Sequence, residues 1–343
     1  MSGLRRSTAR LWTATVAILA TLLTGCASGA TVLINGAGAT FPYPIYAKWF
    51  DEFHKLHPDI QINYQSIGSG GGIRQLLTGT VDFGASDSPM TDEQLRQART
   101  GILHFPTVLG AVVCSYNVPG INQDLNFTPE VLAGIQLGKI EKWSDRDLAK
   151  VNPGVSLPQE NIVTIHRSDG SGTTFVWTEY LSKVSPEWKQ RVGSGTSVNW
   201  PAGLGAKGNE GVAGLIKQTP YSIGYLELVY AIQNNMPQGK VRNSSGIFAK
   251  ADLRSVTAAA ATAIPDDFRV SLTDSPGRDA YPIASFTWLL VPNRIADAEK
   301  KASIIRFLHW MLTDGQEIAE SLSYAPLPQA VISKERGAIL QVQ

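Results

Sequence analysis

Charge is scarce and balanced in this chain. Asp, Glu, Lys and Arg make up 17% of its 343 residues, with 30 basic side chains against 29 acidic ones. Binding nucleic acid through bulk electrostatics needs a basic surface, so nucleic acid is not expected as a partner. Cysteine occurs only at Cys26 and Cys114, too few for a disulfide framework or a multi-cysteine zinc site. No segment reaches 18 consecutive apolar residues, so no membrane-spanning helix is expected. The common catalytic signatures are also missing. There is no G-x-x-x-x-G-K-S/T phosphate loop, no G-x-S-x-G nucleophile elbow, no H-E-x-x-H and no acidic calcium loop. His54 and His57, three apart at a helix end, read as solvated residues, and His166 as a packing residue. Cys114, in an apolar stretch, reads as a buried free thiol. No catalytic residue, cofactor or metal is expected.

Hydrophobic residues make up 43% of the chain, which disfavours disorder, and the length suits two domains better than one core. The N-terminus carries Arg5, Arg6 and Arg10, then an apolar run from Leu11 to Leu23, then Thr24-Gly25-Cys26. A basic segment, a short apolar run and small residues make a secretory signal. The ending resembles the bacterial lipobox, in which the cysteine is lipidated and becomes the new N-terminus. The alternative is an ordinary signal peptide with an incidental Cys26. On the lipobox reading residues 1–25 are removed, and the exported protein is held to a membrane by lipid alone.

Beyond that point short apolar strands alternate with amphipathic stretches. Val32–Ile34 reads as a strand. Ile45, Trp49, Phe53 and Leu56 share one helix face, and Ile60, Ile62 and Tyr64 alternate as in a half-buried strand. Ile73, Leu76 and Leu77 suggest a helix, Val81–Gly84 a strand, and Thr91 with Gln94 a capping box. Val108–Tyr116 is a strongly apolar strand. Thr128-Pro129 reads as a helix cap followed by Pro at the first helical position. A short helix starts at Ser144–Asp147, Ile162–Ile165 is a strand, and Trp177, Tyr180, Leu181 and Val184 mark a helix face. Ser255–Ala263 is Ala-rich and helical, Tyr281–Val291 a long strand, and Ile304, Leu308, Met311 and Leu312 a C-terminal helix. The alternation argues for α/β layers with largely parallel pairing.

Four polar, Gly-rich segments fall where strands end: Gly36–Phe41, Gly68–Gly72, Ala85–Ser88 and Arg167–Thr174. Ligands of open α/β sheets sit beyond the carboxyl ends of strands, where helices begin. A helix start offers unpaired N–H groups and partial positive charge. Gly lets the backbone approach closely, and Ser and Thr add hydroxyl donors. Each segment alone is a weak signal, since Gly68–Gly72 also suits a flexible turn and Arg167 could pair with Asp169 on a surface. Their joint occurrence points to an anion site built without bulk positive charge.

These segments carry a resemblance. Gly36–Trp49, Tyr64–Gly72, Val81–Pro89, Phe105–Thr107, Leu137–Ile140 with Trp143, and Arg167–Thr173 resemble the phosphate-specific substrate-binding proteins of bacterial ABC importers. So do Gly208–Val212, Ser222–Tyr225, Leu308–Trp310 and Thr313–Gly315, so the likeness covers nearly the whole chain after the leader. It implies an α/β two-domain clamshell of the type II periplasmic-binding-protein kind, each domain a mostly parallel sheet flanked by helices, with two strands crossing between domains. Residues 31–107 plus 287–343 would form one domain and 108–286 the other. The cleft would hold one dehydrated phosphate. Thr40 would donate from the first loop, Phe41 through its backbone N–H, and Ser69 at the second helix start. Asp87 would accept a proton from the ligand. Arg167, held by Asp169, would donate, and Ser171, Gly172 and Thr173 would close the far side. Gly70 stands where many members have a second Ser. Inorganic phosphate and the permease subunits of a phosphate importer are the implied partners, for a monomer.

A carboxylate in an anion site makes sense if the ligand still has a proton to give. Inorganic phosphate has three ionisable protons and keeps at least one near neutrality, whereas sulfate has none. Facing sulfate, Asp87 would be an unpaired, repelling charge. Read without the resemblance, Asp87 is more simply a capping residue before Pro89. The competing functions are binding of another oxyanion, such as sulfate or molybdate, and a secreted phosphatase, for which neither a nucleophile–base pair nor a metal cluster is apparent.

Overall fold

The computed structural model describes residues 31–121 and 123–343. The leader and Cys26 lie outside the described residues. In chain order the elements are β1 (Val32–Gly38), α1 (Tyr43–Leu56), β2 (Ile60–Ser66), α2 (Ser69–Thr78), β3 (Phe83–Ser86), α3 (Asp92–Gln97) and β4 (Ile102–Asn117). Then come β5 (Asn126–Phe127), α4 (Pro129–Gln136), α5 (Arg146–Val151), β6 (Val163–Arg167), α6 (Gly172–Val184), α7 (Pro186–Arg191), β7 (Leu204–Ala206), α8 (Gly208–Gln218) and β8 (Ser222–Glu227). The rest are α9 (Leu228–Gln233), β9 (Lys240–Arg242), β10 (Phe248–Ala249), α10 (Leu253–Ala259), β11 (Ala284–Pro292), α11 (Ala298–Met311), α12 (Asp314–Ala319) and α13 (Gln329–Ile339).

Eight strands form one sheet in the order β2-β1-β3-β11-β4-β8-β6-β7. Its two flanks are parallel, β1 pairing with β2 and β3 on one side and β6 with β7 and β8 on the other. The centre is antiparallel: β11 pairs with β3 and β4, and β4 with β8. β4 runs 16 residues, pairing with β11 over its first part and with β8 from Val112 onward. It therefore joins the two flanks, and nearly every residue along it is buried. That explains why it reads as an unbroken apolar run, not as an alternation.

The strand begins earlier than the apolar run because His104 and Pro106 interrupt the pattern. Pro106 has no N–H to give the ladder, and the β4–β11 register slips there, between Thr287 and Trp288. The expected strand at Val81 starts instead at Phe83, because Asp82 turns its carboxylate to the Asn35 N–H at 2.8 Å and to Lys300 at 2.9 Å. Helix α1 buries Ile45, Trp49 and Phe53, with Tyr46 and Phe50 beside them, and Trp49 donates to the Gly315 carbonyl at 2.8 Å. The Thr91–Gln94 capping box is formed, and Thr128 caps α4 ahead of Pro129. The short helix near Ser144 is capped by Asp145 instead. Cys114 is a buried free thiol, pushed up to about 12 by burial. No helix among the described residues is long and apolar enough to cross a membrane.

Candidate functional site

The parallel flanks deliver three helix starts to one place. Helix α2 follows β2 through Gly68, whose φ of 88° needs glycine. Helix α6 follows β6 and is capped by Ser171, whose Oγ accepts the Thr174 N–H at 3.0 Å. Helix α8 follows β7 through Gly208, at φ 73°. The α2 and α6 starts meet main chain to main chain at one point. Gly70 donates its N–H to the Gly170 carbonyl at 2.9 Å, and a Cβ at Gly70 would lie 3.2 Å from the Gly170 Cα.

Between these starts the expected hydroxyls lie buried. Ser69 Oγ accepts two N–H groups, from Gly172 at 3.0 Å and from Asp87 at 3.2 Å. Thr40 Oγ1 accepts from Asn209 Nδ2 at 2.8 Å and from the Asn209 backbone N–H at 3.3 Å. Thr173 Oγ1 accepts from Asn209 Nδ2 at 3.2 Å and Arg167 Nη1 at 3.4 Å, and donates its proton to Asp87 Oδ2 at 3.4 Å. A hydroxyl has two acceptor sites and one proton. Where both acceptor sites are taken by N–H groups, the proton is what remains to be offered. Gly172 is tightly enclosed, since a Cβ there would come within 2.4 Å of Ser69 Oγ and 2.6 Å of Asp87 Oδ2.

Three ionisable groups complete the cluster. Asp87, only 1% exposed, follows β3. Burial pushes its carboxyl up to about 7, against the opposing pull of the Thr287 hydroxyl, Arg167 and Thr173. Thr287 on β11 donates to Asp87 Oδ1 at 2.9 Å. Arg167 ends β6 and gives Nε and Nη2 to the two oxygens of Asp169, at 2.7 and 2.5 Å. Asp169 also accepts the Gly208 N–H at 3.1 Å. Burial works to raise the Asp169 carboxyl, but the Arg167 hydrogen bonds and charge hold it below its ordinary value. This fork fixes the guanidinium plane and leaves Nη1 facing Thr173.

The first loop is held from behind by three tyrosines. Tyr64, Tyr230 and Tyr324 donate their hydroxyls to the carbonyls of Ala39, Thr40 and Phe41, at 2.8, 2.6 and 2.7 Å. Phe41 itself is fully buried, its ring against the space where a Gly110 Cβ would stand. Thr40, Phe41, Ser69, Asp87, Arg167, Asp169, Ser171, Gly172 and Thr173 are thus brought together from distant stretches of chain.

Sequence reasoning gave no role to Asn209, Thr287 or the three tyrosines. Asn209 stands one residue after Gly208 in a Gly-rich motif, but nothing local marked its amide as buried. Thr287 had a weak signal, a polar residue inside an otherwise apolar strand. Lys139 lies on the surface and pairs with Glu187. His166 stacks on Trp200, with centroids 4.8 Å apart, as a packing residue does. His54 is exposed and bonds the Ile60 carbonyl, and His57 packs on Phe53.

Two-domain binding proteins share this fold. A model of the PBP superfamily domain matches residues 25–315. A high-affinity periplasmic phosphate-binding protein (PfluDING), solved with phosphate, superposes with a TM-score of 0.71 at 20% identity, over 89% of this chain and 93% of its own. A putative phosphate ABC transporter substrate-binding protein from Clostridium perfringens, also with bound phosphate, gives 0.64 at 17%, over 86% and 100%. Sequence carries the comparison further. The phosphate-binding protein PstS of Pasteurella multocida is 46% identical over 305 residues, 88% of each chain. That of Haemophilus influenzae is 45% identical over 304 residues, 88% of this chain and 90% of its own. That of Methanocaldococcus jannaschii is 39% identical over 340 residues, 91% and 87%. The chain belongs to the PstS phosphate-binding protein family within the PBP superfamily.

Proposed function

We propose that this protein binds inorganic phosphate between its two lobes and delivers it to an ABC permease for uptake. The observation that carries the reading is the composition of the buried cluster: many hydrogen-bond donors, one guanidinium already neutralised by Asp169, and one acceptor, Asp87. Thr40, the Phe41 N–H, Ser69, Arg167, Ser171, Gly172 and Thr173 supply the donors. Charge-assisted hydrogen bonds contribute roughly 1.5–3 kcal/mol each. A micromolar dissociation constant corresponds to about −8 kcal/mol, which such a set reaches even after ordering costs. Asp87 supplies the selectivity, because it accepts a proton that phosphate has and sulfate lacks.

In this reading residues 31–107 with 287–343 form one lobe, 108–286 the other, and the lobes hinge where β4 and β11 run between them. Support comes from the pairing of β4, which changes partner from β11 to β8 as it passes from one flank to the other. The protein acts as an exported monomer, tethered by lipid at Cys26, and turns nothing over. The deciding experiment is calorimetric titration with phosphate, arsenate, sulfate and molybdate. Tight phosphate binding with sulfate rejected supports the reading, and equal affinity for sulfate or molybdate overturns it. Turnover of a phosphate ester, with or without divalent metal, would make the protein an enzyme instead.

A further inference from the structure

We propose that Asn209 is a positioning residue that aims the hydroxyl protons of Thr40 and Thr173 at the bound anion. The inference rests on the phosphate-binding reading above and goes beyond it, because Asn209 is assigned no contact with the ligand.

The geometry fixes the orientation of the amide. Asn209 Oδ1 accepts the backbone N–H of Glu227 at 3.0 Å. A backbone N–H can only donate, so the oxygen must face β8 and the nitrogen must face the hydroxyls. The two Nδ2 protons then go to Thr40 Oγ1 at 2.8 Å and Thr173 Oγ1 at 3.2 Å. Both are buried, and Asn209 itself is fully buried. The second acceptor site of Thr40 takes the Asn209 backbone N–H, and that of Thr173 takes Arg167 Nη1. The Thr173 proton goes to Asp87 Oδ2 at 3.4 Å, a long contact that an oxygen of the bound anion would take over.

The consequence is chemical. A free hydroxyl is ambivalent and can turn its proton or its lone pairs to a ligand. One whose lone pairs are both engaged by N–H groups can only donate. Thr40 follows β1 and Thr173 lies in α6 after β6, so a single amide imposes this on hydroxyls from both flanks of the sheet. Donors that cannot turn round suit a multiply charged oxyanion and reject ligands that would offer a donor of their own.

The test is a mutant cycle read by phosphate titration of the full chain, with the wild type measured alongside. Asn209→Asp replaces the donor with an acceptor, so both threonine protons turn toward the carboxylate. Phosphate affinity is expected to fall about 100-fold or more. Asn209→Ala is expected to cost about tenfold in the native background and less than about threefold in Thr40→Val/Thr173→Val, where no hydroxyl proton is left to aim. Equal losses in the two backgrounds, or unchanged affinity in Asn209→Ala, overturn the inference. A residue that merely supports the fold would weaken binding alike in both. Should Asn209→Asp fail to fold, the Asn209→Ala cycle decides. Failure of the wild type to bind phosphate would instead overturn the parent reading.

Discussion

Arg167 and Asp169, two residues apart, face each other through a two-pronged hydrogen bond in which the guanidinium spends Nε and Nη2 and keeps Nη1 for Thr173. Both are largely buried, so neither can be removed without leaving the other uncompensated. Arg167→Ala is expected to weaken phosphate binding by about 100-fold or more, since it deletes a charge-assisted donor and frees a repelling carboxylate. Lys139→Ala, which disrupts only a surface pair with Glu187, is expected to stay within about twofold. Equal losses in a calorimetric comparison would place the anion elsewhere.

Asp87 titrates within an accessible range. Its carboxyl is pushed up to about 7, so in the unliganded protein it is ionised at pH 8 and protonated at pH 5. The protonated form no longer repels a fully ionised anion and can donate to it. The preference for phosphate over sulfate should therefore shrink as pH falls from 8 to 5. In Asp87→Asn it should be weak and flat across that range. Thr287→Val removes the hydrogen bond that favours the charged carboxylate, so sulfate should begin to compete at a higher pH than in the wild type. Competition titrations at pH 5, 6, 7 and 8 read all three outcomes, and a pH-independent preference in the wild type would refute the role given to Asp87.

Gly172 offers a steric test. A methyl group there would overlap Ser69 Oγ and the Asp87 carboxylate, atoms from the far side of the site, while the helix it starts has no need of glycine's backbone freedom. Gly172→Ala should thus cost about 100-fold in phosphate affinity while lowering the ligand-free melting temperature by no more than about 3 °C. Unchanged affinity would show that the two sides need not approach as closely as described.

Glu335 on α13 is fully buried, and neither carboxyl oxygen has a hydrogen-bond partner among the described residues. Burial raises its pKa well above the ordinary value. Above the unfolded-state pKa of about 4.3 the native chain retains a proton that the unfolded chain releases, so stability declines as pH rises through that value and upward. Below it both states are protonated and the penalty vanishes. Glu335→Met should accordingly raise the melting temperature at pH 8 by at least about 2 °C and by less at pH 5. A pH-independent effect in thermal melts would contradict the assignment.

The sequence was legible where local chemistry dominates. Thr91 with Gln94, and Thr128 with Pro129, announce helix starts because a cap depends on three or four neighbouring residues. The four Gly-rich strand ends were readable for the same reason. The small β10-β9-β5 sheet was not anticipated, since strands of two or three residues carry too little periodicity to register, and the six-residue helices α7 and α9 complete fewer than two turns. Asn209 and Thr287 escaped for a different reason. Their meaning lies in partners 169 and 200 positions away, Thr40 and Asp87, and no local pattern encodes such a meeting.

On the two-lobe reading, the contact between Gly70 and Gly170 would set a limit on how far the jaws can shut. Main-chain atoms meet there, and main chain cannot rotate aside as a long side chain can. Closure of that kind would work as a calliper whose zero point is a peptide-to-peptide touch, and its gauge for ion radius would be insensitive to rotamer fluctuation.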